Sequence, residues 1–453
     1  VKNHERVYKN SVAEEVRGVL HGIEGLRVAS STSSLSVEDR GLDPAEIGRR
    51  LGVSHLVEGS VRKSAERLRI EARLVRVDEG FPEWSGRFDT DAADIFAVQD
   101  SIARAVARAF EVGSDAGPEE AFRLKGQTAD PEAQDLYLRA RFAWNRRTRD
   151  GLEESVRFFS QAIELDPAYG RALAGLGDAY AVLGFYDHRP PAEAFPLAQQ
   201  AARAALAIDS TMAEPYATLG YAALYHDRDW AAAERHFRTS MRLDPGYPVA
   251  HQWYANFLTA MGRFDEAVQE MRAASELDPL SLIALVALGW VQFHAREYDA
   301  AVGQLEEALR RDPSFELAHL WRGQALAGLG RIDEAEAAIR RYLELSSGGP
   351  LGRTALARVL ALDEREAEAL ALLEALEEEG RRGYVPRYEM ATVRAALGDS
   401  EGALRELSTA VAERSHSVVL LGVDPQLDPL RDRPDFAALV EALELTPVAA
   451  LLR

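Results

Sequence analysis

The stretch IALVALGWVQFHAREYDAAVGQLEEALRRDP, from Ile283 to Pro313, decides how the rest of the chain is read. Apolar residues recur at helical spacing from Ile283 to Ala295 and again from Tyr298 to Arg310, with the polar pair Arg296-Glu297 between them. That pattern is two amphipathic helices joined by a short turn. Asp312-Pro313 ends the second helix, because the residue before a proline is pushed out of the α region. The same ending stands at Asp166-Pro167, Asp244-Pro245 and Asp278-Pro279, with Asp209-Ser210 in register. Each of these aspartates is expected to cap the helix that follows, with proline tolerated at its first position.

The unit repeats. Ala233, Ala267, Ala301, Ala335, Ala369 and Ala403 stand 34 residues apart without interruption. Ahead of them Ala198 falls one residue early, and Ser155 takes the equivalent place before an insertion. A period of this length marks a stacked array. A small residue at one fixed place per unit lets neighbouring helices approach closely, where bulk would force them apart.

The pattern of a large apolar residue, Leu-Gly, an aromatic, Ala, a large apolar residue, Ala and Pro resembles the tetratricopeptide repeat. It is carried by Leu173, Leu176, Gly177 and Tyr180; by Tyr216, Leu219, Gly220, Ala233, Phe237 and Pro245; and by Leu285, Leu288, Gly289, Ala301, Leu305, Ala308 and Pro313. The resemblance runs from about Pro131 to Arg414. It implies a mainly α fold, a superhelix of about eight helix pairs, preceded here by a small α/β domain. Residues Phe185 to Pro196 are expected to lengthen the inter-helix turn of the second unit and project a loop. Ser346-Ser347-Gly348-Gly349-Pro350 reads as a local hinge. After Arg414 the phase breaks: Val418 to Leu421 is short and apolar, and a helix follows from Asp435 to Leu443. This tail is expected to cover the apolar face of the last unit.

Residues 1 to 112 have another texture. Helices are expected from Ser11 to Ile23, Pro44 to Leu51 and Ala92 to Phe110, and strands at Leu26 to Ser30, Val53 to Arg62, Arg67 to Val77 and Glu83 to Phe88. Gly25-Leu26-Arg27-Val28 with Thr32-Ser33-Ser34, Leu51-Gly52-Val53, Leu56 to Arg62, Leu68-Arg69-Ile70, Trp84-Ser85 and Asp94 to Asp100 resemble the module named for the N-terminal domain of TolB. That resemblance implies a bacterial protein, cytoplasmic or periplasmic and envelope-associated, in which the module precedes a repeat array in cyclases, kinases or winged-helix regulators. The opening apolar strand of the module is missing before Ser11, so an open sheet edge offers a route to homo-oligomers. The expected organisation is therefore 1–112 for this domain, 113–130 for a Gly- and Pro-containing linker, 131–414 for the superhelix and 415–453 for a capping segment.

The chain has 453 residues, a formal charge of −20 and no cysteine. The acidity argues against nucleic acid as a partner, since phosphate neutralisation draws on Lys and Arg. Disulfides and thiolate sites are excluded. No run of apolar residues is long enough for a membrane span. The chain starts at Val1 rather than Met, so an effector or anchor upstream is expected.

Catalytic and cofactor signals are weak. No phosphate-binding glycine loop, zinc spacing or calcium loop is present, and no cofactor or metal is expected. Ser60-Val61-Arg62-Lys63 fits a Ser-x-x-Lys pattern but sits on an expected strand. The ten histidines are scattered, and Glu377-Glu378-Glu379 reads as a solvated face. The reading is of a protein without enzymatic activity. In the family resembled, the first helix of each pair lines the concave groove. Carried over by position, the inward residues are Trp144, Asp178, Tyr221, Tyr225, Asn256, Trp290, Phe293, His294, Gln324 and Arg358. Aromatics offer large, low-entropy contact area, and amides and Arg can pair with a peptide backbone or carboxylate. A protein or peptide segment laid along this groove is the expected partner, and the chain is expected to be a protein-interaction scaffold. The lysine-rich clamp of chaperone-binding members is absent. The alternative is the sensory or regulatory portion of a larger signalling protein.

Overall fold

The computed structural model describes residues 43–64, 67–91, 95–110, 126, 128, 130–346, 348–381 and 385–445, together with positions 13, 16, 17, 20, 26, 28, 29 and 34. The expected linker therefore lies almost wholly outside the described residues.

Near the N-terminus, α1 (Pro44–Leu51) starts where Asp43 accepts a hydrogen bond from the Glu46 amide at 2.7 Å. Strands β1 (His55–Ser64), β2 (Arg67–Arg76) and β3 (Pro82–Asp91) form an antiparallel meander in the order β1-β2-β3. Along β2 the side chains of Leu68, Ile70, Ala72 and Leu74 are buried while Arg67, Arg69, Glu71 and Arg73 are exposed, the two-residue alternation of a half-covered sheet. Helix α2 (Ile95–Ala109) covers that apolar face with Val98, Ile102 and Val106, four residues apart. Val16 and Leu20, both in helical conformation, complete the cluster. The strand expected at Leu26 to Ser30 is not found at its described positions: Leu26, Val28 and Ala29 are outside any strand. Leu26 and Val28 pack against the core instead, so apolar alternation there records burial rather than pairing.

Eight helix pairs follow: α3 (Pro131–Asn145) and α4 (Arg149–Leu165), α5 (Gly170–Phe185) and α6 (Pro191–Ile208), α7 (Glu214–Ala222) and α8 (Trp230–Leu243), α9 (Pro248–Ala260) and α10 (Phe264–Leu277), α11 (Leu282–His294) and α12 (Tyr298–Arg311), α13 (Glu316–Gly328) and α14 (Ile332–Leu345), α15 (Pro350–Leu362) and α16 (Glu366–Gly380), and α17 (Arg387–Ala396) and α18 (Ser400–Ala412). The alanines of the ladder, and Ser155 and Ala198 with them, are fully buried. Close approach is visible at the glycines: a Cβ on Gly289 would lie 2.8 Å from Leu305 Cγ, and one on Gly220 would lie 2.9 Å from the Phe237 ring. The first helix of a unit is thus seated on the large apolar residue of the second, and Phe237, Leu305 and Ile339 are fully buried. Each such side chain contributes about 1.5–3 kcal/mol.

Two expectations change in detail. Asp166, Asp244 and Asp312 do not cap the next helix. Each ends the preceding helix in extended conformation, and its Oδ1 accepts from the amide two residues on, at 2.8–2.9 Å, closing a local turn. The next helix begins four residues later. Asp130 shows the other geometry: there Pro131 is the first helical residue, and Asp130 Oδ1 accepts from the amides of Glu132 and Ala133. The second unit projects no long loop, because its extra residues are absorbed into longer helices: α5 has 16 residues and α6 has 18, with Pro196 inside α6 and residues 186–190 as the turn. Around the expected hinge, α14 ends at Leu345, Gly348 has φ +78° and α15 starts at Pro350.

The tail does more than cover the last unit. Two short 3₁₀ turns, His416–Leu420 and Pro425–Leu430, bury Val418, Val419, Leu421, Leu427 and Leu430 before α19 (Pro434–Ala442). Contacts from this segment reach back to units two, three and five. Trp230 Nε1 donates to the Leu443 carbonyl at 3.2 Å, and Arg414 Nη1 to that of His226 at 3.0 Å. The His416 ring lies 5.2 Å from that of Phe185 and 6.0 Å from that of Tyr225. Unit eight is thereby tied across the concave side to the first half of the array.

Candidate binding site enclosed by the repeats

All eight helix pairs and the tail contribute to one cavity of about 120 Å³ on the concave side. Its apolar wall is built from Trp253, Trp290, Trp321, Tyr221 and Val286. Trp253 stacks on Tyr221 with ring centroids 4.2 Å apart, and Trp290 meets Trp321 edge-on at 6.3 Å. Polar groups converge from Arg147, Asn256, Gln324, Glu389, His416 and Asp424. The rim is partly exposed at Asp187, Gln252, Trp321 and Gln426.

Of the ten residues named from position, Tyr221, Asn256, Trp290, His294 and Gln324 line this cavity. The other five lie behind it. Trp144, Tyr225 and Phe293 are buried in helix packing and do not line the cavity. Asp178, 1% exposed, accepts from Thr218 Oγ1 at 2.6 Å and Tyr247 at 3.3 Å and faces Arg141 at 3.5 Å. It ties units two, three and four together. Burial pushes its carboxyl up to about 6. Arg358, partly buried, donates to Gln324 Oε1 at 3.3 Å and so backs a lining residue. His294 is buried, with Nδ1 2.8 Å from the Trp290 carbonyl, and desolvation holds its ring below the usual imidazole range.

At the tail side, Glu389 accepts from Ser417 Oγ at 2.7 Å through Oε1, while its enclosed Oε2 has no partner. Burial, and then the Asp187 carboxylate, push Glu389 up to about 7. His416 sits 3.3 Å from Asp187. Burial opposes its charged form, but Asp187 and Glu389 together outweigh that and hold it above the usual value.

Position-by-position transfer missed a second set of residues. The turn inside every unit contains one residue at positive φ: Arg147, Asp187, Arg228, Gly262, Arg296, Gly330, Glu364 and Gly398, with φ between 54° and 77°. From Arg228 onward they stand 34 residues apart. Glycine meets this backbone freely, whereas other residues are held there at a cost of about 1 kcal/mol. Four of the non-glycine side chains are used on the concave side. Asp187 pairs with His416, Arg228 Nη2 donates to the Val411 carbonyl at 3.1 Å, and Arg296 holds Asp428 at 2.6 Å and the Val423 carbonyl at 3.2 Å. Arg147 points into the cavity wall. The signal was legible: arginine or aspartate where three sister units have glycine.

Residues 224–288 and 295–350 match models of the tetratricopeptide repeat, so the array carries repeats of that type. A stretch of 208 residues is 33% identical to the putative adenylate cyclase 3 of Rhizobium meliloti, covering 46% of this chain and 35% of that protein. A 90-residue stretch is 29% identical to Hsp70-Hsp90 organizing protein 2 of Arabidopsis thaliana, covering 20% of this chain and 16% of that one. Among solved structures, a human IFIT1 chain is 12% identical with a TM-score of 0.48, over 77% of this chain and 77% of that one. The chain thus spans about a third, or less, of the curated relatives it matches. Among the described residues no helix is long and apolar enough to cross a membrane, and no cluster of His, Asp and Glu has the makings of a metal site.

Proposed function

We propose that the array is a non-enzymatic protein-interaction scaffold that takes a partner segment on its concave face, through Tyr221, Asn256, Trp290, His294 and Gln324. Asp178, Trp144, Tyr225, Phe293 and Arg358 form the layer that holds those five in place. The observation carrying this reading is the convergence of aromatic and amide side chains from the first helices of units three to six onto one concave surface with a partly exposed rim. Rigid aromatics beside the unpartnered amide acceptor Asn256 Oδ1 suit an extended segment, whose backbone N–H groups need acceptors. Peptides selected from a random display library on the wild-type protein are expected to lose roughly 10-fold or more in affinity on Trp290→Ala and again on Asn256→Ala. Selected peptides that bind the wild type and both variants alike remove the concave face as the recognition surface.

A second reading is favoured by one observation, the 33% identity to a protein named as a putative adenylate cyclase of which the match spans 35%. In it the array, with the TolB-like module before it, is the regulatory portion of a longer signalling protein. The full open reading frame decides: a cyclase, kinase or winged-helix segment supports it, and a stop codon close upstream of Val1 refutes it.

A further inference from the structure

Among the positive-φ residues of the turns, Arg147 is the one arginine whose guanidinium finds no protein acceptor. Arg228 and Arg296 donate to carbonyls of the C-terminal half, and Arg296 also holds a carboxylate. The Arg147 side chain makes no ion pair or hydrogen bond among the described residues, and its Nε is enclosed without a partner. It is 6% exposed, and its cation lies over the Trp144 ring, 3.5 Å from the centroid. A buried charge with no ion-pair partner is costly, the Asp178 carboxylate acting on Arg147 only weakly beside its burial, and so is a positive φ at a non-glycine residue. The fold accepts both at one residue, and that residue opens onto a cavity.

The cavity's own carboxylates are engaged on its tail side, Asp187 with His416, Glu389 with Ser417 and Asp424 with Tyr388, and the rest of the wall says what would answer this charge. Flat indole surfaces of Trp253, Trp290 and Trp321 make the wall, and Asn256 Oδ1, on a residue 6% exposed, is an acceptor without a donor. A volume of about 120 Å³ holds on the order of ten water-sized groups. We infer that the cavity is a binding site for a small aromatic organic acid, its carboxylate on Arg147, its ring against the indoles and a hydroxyl or N–H of its body donating to Asn256. Benzene-ring acids of about ten non-hydrogen atoms fit this description. The site overlaps that of the protein-partner reading at Trp290 and Asn256 but does not rest on it, and Arg147→Met tests the acid where Trp290→Ala and Asn256→Ala test the peptide.

The experiment uses the full chain and three probes, 4-hydroxyphenylacetate, 4-hydroxybenzoate and indole-3-acetate, each beside its neutral carboxamide. Binding is followed by calorimetry and by tryptophan fluorescence, because three indoles form the wall. At least one acid is expected to bind wild type roughly 10- to 100-fold more tightly than its amide, the ratio a charge-assisted hydrogen bond confers. Arg147→Met is expected to bind acid and amide alike. Without ligand its melting temperature should equal or exceed that of wild type, because methionine fills the space and removes the uncompensated charge. Arg147→Lys is expected to keep part of the acid preference. No saturable binding of any acid up to about 5 mM, which corresponds to less than ~3 kcal/mol of binding energy, overturns the inference. So does equal binding of acid and amide by wild type. An unstable or unfolded Arg147→Met also overturns it, by assigning the arginine to packing.

Discussion

Replacing Arg296 by methionine should loosen the tail without unfolding the array. Arg296 sits at φ +66° in the turn of unit five, with its side chain 20% exposed, and it reaches two points of the tail. Its ion pair with Asp428, which is 43% exposed, is partly screened and contributes about 0.5 kcal/mol. Its Nη1 donates to the Val423 carbonyl at 3.2 Å, a charged bond at a half-closed site that adds ~1–1.5 kcal/mol. Methionine keeps the aliphatic stem, so packing is largely conserved. The sum, about 1.5–2 kcal/mol, corresponds to local opening that is roughly 10- to 30-fold more frequent. Hydrogen exchange reads it directly at the tail amides that close the 3₁₀ turns, Leu421 to Val418, Val423 to Leu420 and Leu427 to Asp424. Those amides should exchange faster by that factor, while amides of α13 and α14 keep their wild-type rates. Unchanged exchange in the tail would show that its apolar side chains hold it alone. Equal acceleration everywhere would show that tail and array open as one unit. Either result refutes the latch.

Two further outcomes test the packing and the electrostatics. Gly303 and Gly289 lie in the same unit, but a Cβ on Gly303 meets nothing within 4 Å whereas one on Gly289 lies 2.8 Å from Leu305. Gly303→Ala should therefore stabilise by ~1 kcal/mol through helix propensity, and Gly289→Ala should destabilise by about 1 kcal/mol once overpacking exceeds that gain, as read by urea denaturation. Stabilisation by both would mean that the glycine ladder does not serve close approach. For Asp178, a carboxyl pushed up to about 6 in the folded protein against ~3.9 unfolded favours folding when protonated. That contribution is full below the unfolded value, is lost as pH rises through the folded one, and leaves a penalty of about 3 kcal/mol above it. The stability of Asp178→Asn relative to wild type should accordingly rise by about that amount from roughly pH 4 to pH 7. A pH-independent difference would place the carboxylate in a solvated setting instead.

Much of the fold was legible because it rests on contacts close in sequence. The 34-residue ladder from Ala233 to Ala403, the Leu-Gly seats and the Asp-Pro joints each act within a unit or between neighbours, so periodicity alone located the helices. The joints were placed correctly even though Asp312 closes its own turn instead of capping α13. The site was legible in part. Tyr221, Asn256, Trp290, His294 and Gln324, placed by the resemblance to the repeat family, line the cavity.

What sequence could not fix is how far the superhelix winds. Each unit adds a small rotation set by packing, and only the sum over eight units decides whether the concave side stays open or meets the tail. That sum brings Arg296 to Asp428, 132 residues on, and Trp230 to Leu443, 213 residues on. It also turns Arg147, one more polar residue in a turn when read along the chain, into a buried cation facing three indoles. The local pattern determined the repeat, because its forces act over a few residues. The closed cavity and its unanswered charge belong to the tertiary structure, because they exist only where all the units meet.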